Sequence, residues 1–391
     1  MSPMIYLDNS STTPVDPWVK QRMLACLDAC GDFANPSSTH SMGLAANALL
    51  QEARTQVAAY LNAPPDAIVW TSGATESINL ALAGVAQYYA HSGRHLITFA
   101  TEHKAVLDTC SALSKQGFEV TVLPVSAAGE ISLEALAQAI RPDTLLVSMM
   151  HVNNETGVIH DIAAVAACCR AHHTLLHVDA AQSVGKLSLD VQASGVDLVS
   201  LSAHKVYGPK GVGALYIKPF PRVRLQPLLF GGGQQRGLRA GTLPTHQIVG
   251  MGTAYALASK KREADFHKAQ RQSAQIHQAL MALPGVSCNG CGTARVPHIN
   301  NYSIAGIDGE ALFAALPELI FSSGSACNSV STAPSHVLTA MGVPKYLARA
   351  SFRLSVGRFT EDATLNQALT LLCEQIQRLR AIAPQEALYV V

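Results

Sequence analysis

The chain has 391 residues, of which 48% are hydrophobic and 14% are charged, and its formal net charge is +1 at pH 7. This length exceeds one ordinary hydrophobic core, so we expect a large domain and a smaller one. The near-neutral charge, without a basic run, excludes the usual footprint of a nucleic-acid-binding protein. No apolar window reaches the roughly 18 residues that a membrane helix needs. The N-terminus shows no secretory signal, so a cytoplasmic protein is expected.

Short apolar runs alternate with helix-like segments in the first part of the chain. The runs predict strands at 67–73, 95–102, 118–125, 144–154, 174–183, 197–204 and 211–218, and the segments between them predict helices at 76–93, 103–117, 132–140 and 161–173. This alternation is typical of an α/β fold with a mostly parallel sheet that helices cover on both faces. Ligands of such sheets bind beyond the carboxyl ends of the strands.

The second part of the chain predicts a different organisation. A long helix at about 253–283 leads into a mixture of strands and helices, and a further helix at 361–383 closes the chain. We therefore expect a large domain at 14–255 and a smaller α+β domain formed by 1–13 and 256–391.

Residues that carry chemistry follow the ends of several predicted strands. The turn "TSGATE" at 71–76 precedes a helix, and its small residues expose N–H groups that suit a phosphate, although an N-cap needs no ligand. Asp179 ends a nearly buried strand, where an unpaired charge is costly. It would either face a cationic ring nitrogen, cap a turn or pair with an arginine.

Lys205 lies just past the strand at 197–204, beside His204 and before a Gly-Pro turn. The ordinary interpretation is a solvated loop lysine, but buried lysines shift their pKa readily and form Schiff bases. A strand-end lysine, Asp179, His103 and a phosphate turn at one sheet edge are together the set that pyridoxal 5'-phosphate requires. Their joint occurrence favours this cofactor over any single-motif explanation.

Nine cysteines are present, and an odd, scattered set fits a reducing cytoplasm better than a disulfide framework. Cys288 and Cys291 have metal-ligand spacing, but neither a second pair nor a spaced histidine pair accompanies them, so no metal is expected there. The adjacent pair at 168 and 169 falls in a predicted helix and is expected to pack. Cys327 differs, since its surroundings "SSGSACNSVST" are small and polar, as in a mobile loop.

The motifs "YLDNSSTTPVDP", "TSGATES", "TEHKAVLDTC", "MHVNNETGV", "HVDAAQSVGK", "SAHKVYGPKGVGALY", "GGGQQRGLRAGT" and "SSGSACNS" resemble the cysteine desulfurases of the NifS/IscS type. These are fold-type I pyridoxal-phosphate enzymes of the class V aminotransferase family. The similarity runs from about residue 4 to about residue 360 with the motifs in matching order. It implies a seven-stranded, mostly parallel sheet in the large domain and a small domain that carries the catalytic cysteine loop.

The resemblance implies a role for each matching residue at the cofactor. Lys205 would be the Schiff-base lysine, Asp179 the partner of the pyridinium nitrogen, and His103 would stack on the ring and could relay protons. Gln182 would donate to the phenolic oxygen of the ring, with Asn154 close to the ring and the substrate. The predicted phosphate ligands are Ala74, Thr75, Ser202, His204 and, from the neighbouring subunit, Thr242.

The resemblance also implies the reaction. Arg353 would bind the carboxylate of L-cysteine, for which its bidentate fork is suited, and Cys327 would accept the sulfur. The products would be L-alanine and a persulfide on Cys327, which is passed to acceptors for iron–sulfur clusters or other thio-cofactors. Apart from Cys327 as a transient ligand of an iron–sulfur cluster, no metal ligand is expected.

The expected partners are a second copy of the chain and a sulfur-acceptor or iron–sulfur scaffold protein. Housekeeping members of the family carry a longer tail after the last helix, so the short end here predicts weakened or altered docking to a scaffold. Among the alternatives, a selenocysteine lyase would share the cofactor site, and an aminotransferase would not need Cys327. A non-catalytic sulfur carrier would show a degraded cofactor site, whereas Lys205, Asp179, His103 and Gln182 are all present.

Overall fold

The structure is a computed structural model that describes residues 4–323 and 333–383. No helix in these two ranges is both long enough and apolar enough to cross a membrane.

The strands are β1 (Ile5–Tyr6), β2 (Ile68–Thr71), β3 (His95–Phe99), β4 (Glu119–Leu123), β5 (Thr144–Met150), β6 (Leu175–Asp179), β7 (Leu198–Ser202), β8 (Gly213–Ile217), β9 (Val286–Asn289), β10 (Ile299–Ile304), β11 (Leu319–Ile320), β12 (Ser322–Ser323) and β13 (Ser351–Ser355). The helices are α1 (Pro17–Ala25), α2 (Ser41–Tyr60), α3 (Ala74–Tyr88), α4 (Lys104–Ser114), α5 (Leu133–Ala139), α6 (Ile162–Ala171), α7 (Val191–Ser194), α8 (Thr245–Met281), α9 (Gly309–Ala314), α10 (His336–Ala340), α11 (Lys345–Arg349) and α12 (Asp362–Ile382).

A seven-stranded sheet is the centre of the first part of the chain, with the strand order β2-β8-β7-β6-β5-β3-β4. Strands β4, β3, β5, β6 and β7 pair in parallel, and β8 is antiparallel to both β7 and β2. The reversal of β8 follows from its connection, because residues 203–212 are too few for the crossover that a parallel neighbour needs. The predicted α/β class with a mostly parallel sheet is confirmed.

Apolar side chains on the two faces of this sheet belong to two separate clusters. Trp70 lies in one cluster with Phe99 and Tyr255, whereas its neighbour Val69 lies in the other with Ile78. This separation follows from the alternation of side chains along β2. Helices cover both faces, which explains why the strands read as continuous apolar runs.

The second part of the chain contains a four-stranded antiparallel sheet with the order β12-β13-β10-β9. Its cluster includes Tyr302 and Phe352 from the sheet and Leu365 and Ile376 from α12. The predicted boundary between residues 255 and 256 falls inside the continuous helix α8. The division into domains at that position stays a prediction.

Two helices near the N-terminus are not predicted by the sequence pattern. Helix α2 begins after His40, whose ring nitrogen accepts a hydrogen bond from the Gly43 N–H at 3.2 Å, and packs along α8. Helix α1 begins after Asp16, whose carboxylate accepts from the Trp18 N–H at 3.0 Å. Neither helix has a clearly separated apolar face, so the sequence pattern does not reveal them. Their buried sides are defined by packing against α8.

Arg358 is the buried charge that joins three separate segments of the chain. Its guanidinium lies 2.9 Å from an oxygen of Asp16 and 2.9 Å from an oxygen of Asp265, and its side chain is 9% exposed. The same group lies over the ring of Tyr207 at 4.2 Å. Its partners therefore come from the start of α1, from α8 and from the turn that follows Lys205.

We expect Arg358→Met to lower the free energy of unfolding by about 3 kcal/mol, because it removes the closest cation of the buried Asp16 and of the partly buried Asp265, and Asp16 keeps only Lys261 at 3.8 Å. Arg22→Met is the matched control, since Arg22 and Glu52 form a surface pair at 3.3 Å that should contribute less than about 1 kcal/mol. Urea unfolding of both variants measures the difference. Equal losses in the two variants would contradict the assignment.

Candidate active site

The carboxyl ends of the parallel strands open into a cavity of about 460 Å³. Ten of the predicted site residues line it: Ala74, Thr75, His103, Asn154, Asp179, Gln182, Ser202, His204, Lys205 and Arg353. The other two are not among the lining residues. Thr242 is exposed on a separate loop of this chain, and Cys327 lies outside the described residues.

Lys205 projects from the turn after β7 towards the N-terminal segment of the chain. Its Nζ donates hydrogen bonds to the carbonyl oxygens of Ser10 at 2.6 Å and Ser11 at 2.8 Å. Gln182 Nε2 donates to the same Ser10 carbonyl at 2.8 Å. The N-terminal segment therefore holds two of the predicted cofactor ligands in position. It does so through backbone carbonyl oxygens, which accept hydrogen bonds from the lysine and amide N–H groups.

Asp179 ends β6 and is buried at the floor of the cavity. One of its oxygens accepts a hydrogen bond from the Ala181 N–H at 2.9 Å. Burial raises the pKa of this carboxyl, and the nearby positive charges of His103 and Lys205 oppose that rise. A cationic ring nitrogen placed in the cavity would add a further positive charge and favour the carboxylate.

His103 caps the N-terminus of α4 at the side of the cavity. Its Nδ1 accepts a hydrogen bond from the Ala105 N–H at 3.1 Å, so the proton of the neutral ring is on Nε2. The preceding residue, Glu102, is 1% exposed and accepts from the Met150 N–H at 2.8 Å. Burial raises the pKa of Glu102 well above its usual range.

The phosphate end of the cavity is formed by the start of α3 and the end of β7. Helix α3 begins after Gly73, which has no side chain to cap the first N–H groups. Ser202 Oγ is buried beside them and has no hydrogen-bond partner among the described residues. Burial and the charges of Lys205 and Lys210 lower the pKa of His204 to about 4, so this ring is neutral and can donate one hydrogen bond.

These observations fit pyridoxal phosphate. Buried hydroxyl and amide oxygens are almost always hydrogen-bonded in folded proteins, yet Ser202 Oγ and Asn154 Oδ1 have no partner among residues 4–323 and 333–383. Both atoms belong to residues that line the cavity. A phosphate with a polar ring would satisfy groups that the described chain leaves unsatisfied.

Arg353 approaches the cavity from β13 and is only 5% exposed. Its Nη2 lies 2.8 Å from Asp8 Oδ1 and donates to the hydroxyls of Ser11 at 2.7 Å and Ser322 at 2.9 Å. Its Nη1 donates to the Asn154 carbonyl oxygen at 2.7 Å. The guanidinium is therefore fixed, and its position at the cavity suits a carboxylate that replaces its serine contacts.

Lys186 is a site residue that the sequence pattern did not identify. It is buried behind Gln182, and its Nζ donates to the Gln182 carbonyl at 2.9 Å and lies 3.3 Å from Gln182 Oε1. Burial, Lys205 and Arg353 lower the pKa of this lysine to about 7. In the sequence, Lys186 follows Gln182 by four residues in "DAAQSVGK". This spacing indicates that the two residues are near each other, but it does not indicate that the lysine is buried.

Described residues lie on both sides of the segment that carries Cys327. Ser322, on β12, pairs with Arg353 on β13. On the other side, the Ser335 hydroxyl donates to the Glu155 carboxylate, and burial raises the pKa of Glu155 to about 7. On the Ser322 side the described chain therefore contacts a residue that lines the cavity, and on the Ser335 side it contacts the neighbour of the lining residue Asn154.

Cys288 and Cys291 form a disulfide in the structure. The expectation of free thiols is therefore wrong for this pair, because the turn after β9 brings the two side chains together. The adjacent cysteines at 168 and 169 pack as expected, since Cys169 is buried within the cluster on one face of the sheet.

Comparisons with known proteins agree with this geometry. Residues 5–363 match the Aminotransferase class-V family. The cysteine desulfurase IscS of Vibrio cholerae serotype O1 (strain M66-2) is 50% identical over 386 residues, which cover 98% of this chain and 96% of the relative. A solved NifS-like protein superposes with a TM-score of 0.89 at 35% identity, covering 96% of this chain and 100% of the other. SspA in complex with cysteine superposes with a TM-score of 0.81 at 38% identity, covering 91% and 99%.

The chain belongs to the class V aminotransferase family of pyridoxal-phosphate enzymes. Its full-length relatives are more specific than the family, and they show that it is a cysteine desulfurase. The predicted cofactor, pyridoxal 5'-phosphate, is thereby confirmed.

We expect Lys186→Met to reduce the rise in stability between pH 7 and pH 10. The folded-state pKa of Lys186 is about 7 and the unfolded value is about 10.4. In this interval the unfolded chain binds the extra proton, so the free energy of unfolding increases with pH by up to about 1.4 kcal/mol per unit. The variant should lack this increase.

Urea unfolding at half-unit steps from pH 7 to pH 9.5 measures the effect. Lys115→Met is the matched control, because Lys115 is exposed and its loss should leave the slope unchanged. If the free energy of unfolding changes with pH equally in wild type and in Lys186→Met, the pKa of the buried amine is not lowered.

Proposed function

We propose that the cavity residues bind pyridoxal phosphate and L-cysteine and that Cys327 receives the sulfur. The observation that supports this most strongly is the convergence of Lys205, Asp179, His103 and Arg353 on one cavity. An amine, a carboxylate, an imidazole and a guanidinium are the groups that a decomposition of an amino acid on this cofactor requires. The solved relative SspA was captured with cysteine, which supports the same substrate here.

Pyridoxal phosphate, when bound, supplies an aldehyde that condenses with amines and a cationic ring that stabilises a carbanion. The N–H groups at the start of α3, with Ser202 and His204, would hold its phosphate, and Thr75 would contribute a hydroxyl. Asp179 would accept from the protonated ring nitrogen, and Gln182 would donate to the phenolic oxygen. Each of these residues lines the cavity.

Arg353 and Asn154 would bind the substrate. The guanidinium of Arg353 is already oriented by Asp8 and by the Asn154 carbonyl, so little side-chain entropy is lost when a carboxylate binds. The carboxylate would take the place of the Ser11 and Ser322 hydroxyls. Asn154 Oδ1, which has no partner in the described chain, would accept from a donor of the bound ligands.

Lys205 would act as the base that removes the Cα proton of L-cysteine. The carbonyls of Ser10 and Ser11 hold Nζ at the turn after β7, so the amine stays at the cavity when it releases the cofactor. His103 would move a second proton through Nε2, which its backbone contact leaves as the protonated nitrogen. This ring is close enough to Asp179 to interact with its carboxyl electrostatically.

The sulfur would leave the substrate by attack of the Cys327 thiolate on its Sγ. An S–S bond forms, the Sγ–Cβ bond breaks, and the electron pair goes to the carbon fragment, which takes up protons to become L-alanine. The persulfide on Cys327 then awaits an acceptor. Before Cys327, Ser322 contacts the cavity residue Arg353, and after it Ser335 contacts Glu155, the neighbour of the cavity residue Asn154.

A homodimer would complete the phosphate site. Thr242 is exposed and lies outside the cavity of its own chain, on a loop that contains three consecutive glycines from residue 231. Isologous interfaces place such a loop at the equivalent site of the partner subunit. The loop is tied to its own chain by Arg239, which pairs with Glu76 at 2.9 Å at the first turn of α3.

The persulfide sulfur would pass to an acceptor such as an iron–sulfur scaffold, in the cytoplasm. The support is the class of enzyme alone, since full-length relatives at 50% identity are IscS proteins. The absence of a membrane-spanning helix among the described residues is compatible with this location.

We expect Cys327→Ser to keep the visible absorption of the bound cofactor and the spectral change on adding L-cysteine, while losing persulfide and sulfide formation. The thiol acts after the substrate has bound, so earlier steps should survive. With wild type, L-cysteine and a reductant, alanine and sulfide should appear in equal amounts. Cys110→Ser is the matched control and should keep full activity.

We expect mixed dimers to reveal a shared site. Thr242→Ala should weaken cofactor binding by roughly tenfold or more, because one hydrogen bond to a charged group is lost. Lys205→Ala should be inactive. A mixed dimer contains one site with both lesions and one intact site, so mixing the two inactive preparations at limiting cofactor should restore activity. Unchanged inactivity on mixing, with heterodimers verified by mass, would rule out the sharing.

A further inference from the structure

A cluster of three metal-type ligands lies in the second part of the chain, outside the cofactor cavity. It consists of His277 from α8, Cys288 from β9 and Cys291 from the turn that follows, and we call it the Cys-His cluster. The ligand atoms of all three residues lie within 4.8 Å of one another. None of these residues lines the cavity described above.

Tertiary structure creates this cluster, although the two cysteines are close in sequence. Strand β9 pairs with β10 so that Cys288 lies opposite Tyr302. Gly290 (φ 74°) and Gly292 (φ 96°) then turn the chain in the left-handed region, where glycine is favoured. This turn returns Cys291 to Cys288, and the last turns of α8 place His277 beside both.

The imidazole of His277 has an oriented second nitrogen. Its Nδ1 lies 3.3 Å from the Tyr302 hydroxyl oxygen, and the ring is exposed to solvent. Histidines that bind metals usually use their other nitrogen in such a contact, which fixes the tautomer and the ring direction. A metal bound at Nε2 would therefore leave Tyr302 in the position of such an outer partner.

The disulfide alone does not explain the arrangement. Its two cysteines are separated by 3 positions, so it closes a very small loop and removes little entropy from the unfolded chain. The pairing of β9 with β10 already fixes this segment. The disulfide also makes no use of the histidine that α8 directs at the two sulfurs.

We propose that the reduced Cys-His cluster binds a zinc-type transition metal, with its fourth coordination position open to solvent. Two thiolates and one imidazole are ligands that zinc prefers, at about 2.3 Å for sulfur and about 2.0–2.1 Å for nitrogen. A tetrahedral ion requires the ligand atoms to lie about 3.4–3.8 Å apart. The sulfurs must separate from their bonded distance, and the 4.8 Å span leaves room for this.

The metal-binding form requires a reductant. A phosphine or dithiol supplies two electrons, the S–S bond breaks, and two protons from water give two thiols. The metal ion then replaces both thiol protons, so its uptake releases up to two protons to the buffer. Oxidation to the disulfide would expel the ion, which makes the two forms mutually exclusive.

Cobalt titration of the holoenzyme tests the proposal. Cys327→Ser serves as the background, so that the thiol assigned to catalysis does not contribute. After phosphine reduction and anaerobic desalting, we expect one equivalent of Co²⁺ to give a sulfur-to-cobalt charge-transfer band and intense visible bands of a tetrahedral site. Zinc should displace the cobalt stoichiometrically, with proton release measured in weak buffer.

Variants locate the site. The double variant Cys288→Ser, Cys291→Ser should lose the charge-transfer band, and His277→Gln should weaken binding by at least the roughly tenfold that loss of an outer partner costs. Tyr302→Phe should weaken it by roughly tenfold. The matched controls are Cys373→Ser and His267→Gln, which change a cysteine on α12 and an exposed histidine on α8 and should have no effect.

Three results would overturn the proposal. The first is a band that survives in the double serine variant, which would place the ion elsewhere. The second is full reduction, verified by thiol counting, with no stoichiometric cobalt uptake. The third is uptake that His277→Gln does not weaken, which would reduce the cluster to a plain cysteine pair. The normal cofactor spectrum of each variant verifies that it is folded.

Discussion

The buried carboxylate of Asp179 is the constraint on which the rest of the active site depends. A carboxylate at the end of an interior strand is costly unless positive charge lies nearby, and burial raises its pKa accordingly. Lys205 opposes this rise from the end of the adjacent strand β7, and His103 opposes it from the end of β3, two strands away. Because both side chains are tied to backbone groups, they stay in place without a ligand. The site is therefore arranged for a cationic ring before the cofactor binds.

Positive charges at and beside the cavity create the complementary problem, because Lys186, Lys205 and Arg353 interact with one another. Their mutual repulsion contributes to lowering the pKa of Lys186 to about 7. The N-terminal segment relieves part of it, since Asp8 pairs with Arg353 at 2.8 Å and the Ser10 carbonyl accepts from Lys205 at 2.6 Å. Anionic phosphate and substrate carboxylate would relieve more of it. The same electrostatics that cost folding energy thus favour the two anions that the reaction brings in.

Much of this site could be predicted from the sequence, because chemistry in a parallel sheet collects at strand ends and a strand end is visible as an apolar run followed by polar residues. Asp179 and Lys205 were identified in that way. Lys186 and Glu102 cannot be identified in that way, since the sequence does not indicate whether a charged residue is buried. The direction of β8 depends on the length of its connection to β7. His277 joins the cysteine pair only through the packing of α8 beside β9, which no local pattern encodes.

The placement of the thiols determines which cysteine can take part in sulfur chemistry. Burial raises the pKa of Cys110 and of Cys169 to about 12, so at pH 7 only about one molecule in 100,000 carries either thiolate. Cys110 packs in a hydrophobic cluster beside the sheet and does not line the cavity. Sulfur transfer needs a thiolate that can reach first the substrate and then an acceptor, and a cysteine fixed in a core can reach neither. These two buried thiols are therefore poor sulfur acceptors, which favours Cys327, whose neighbours in the sequence are small and polar.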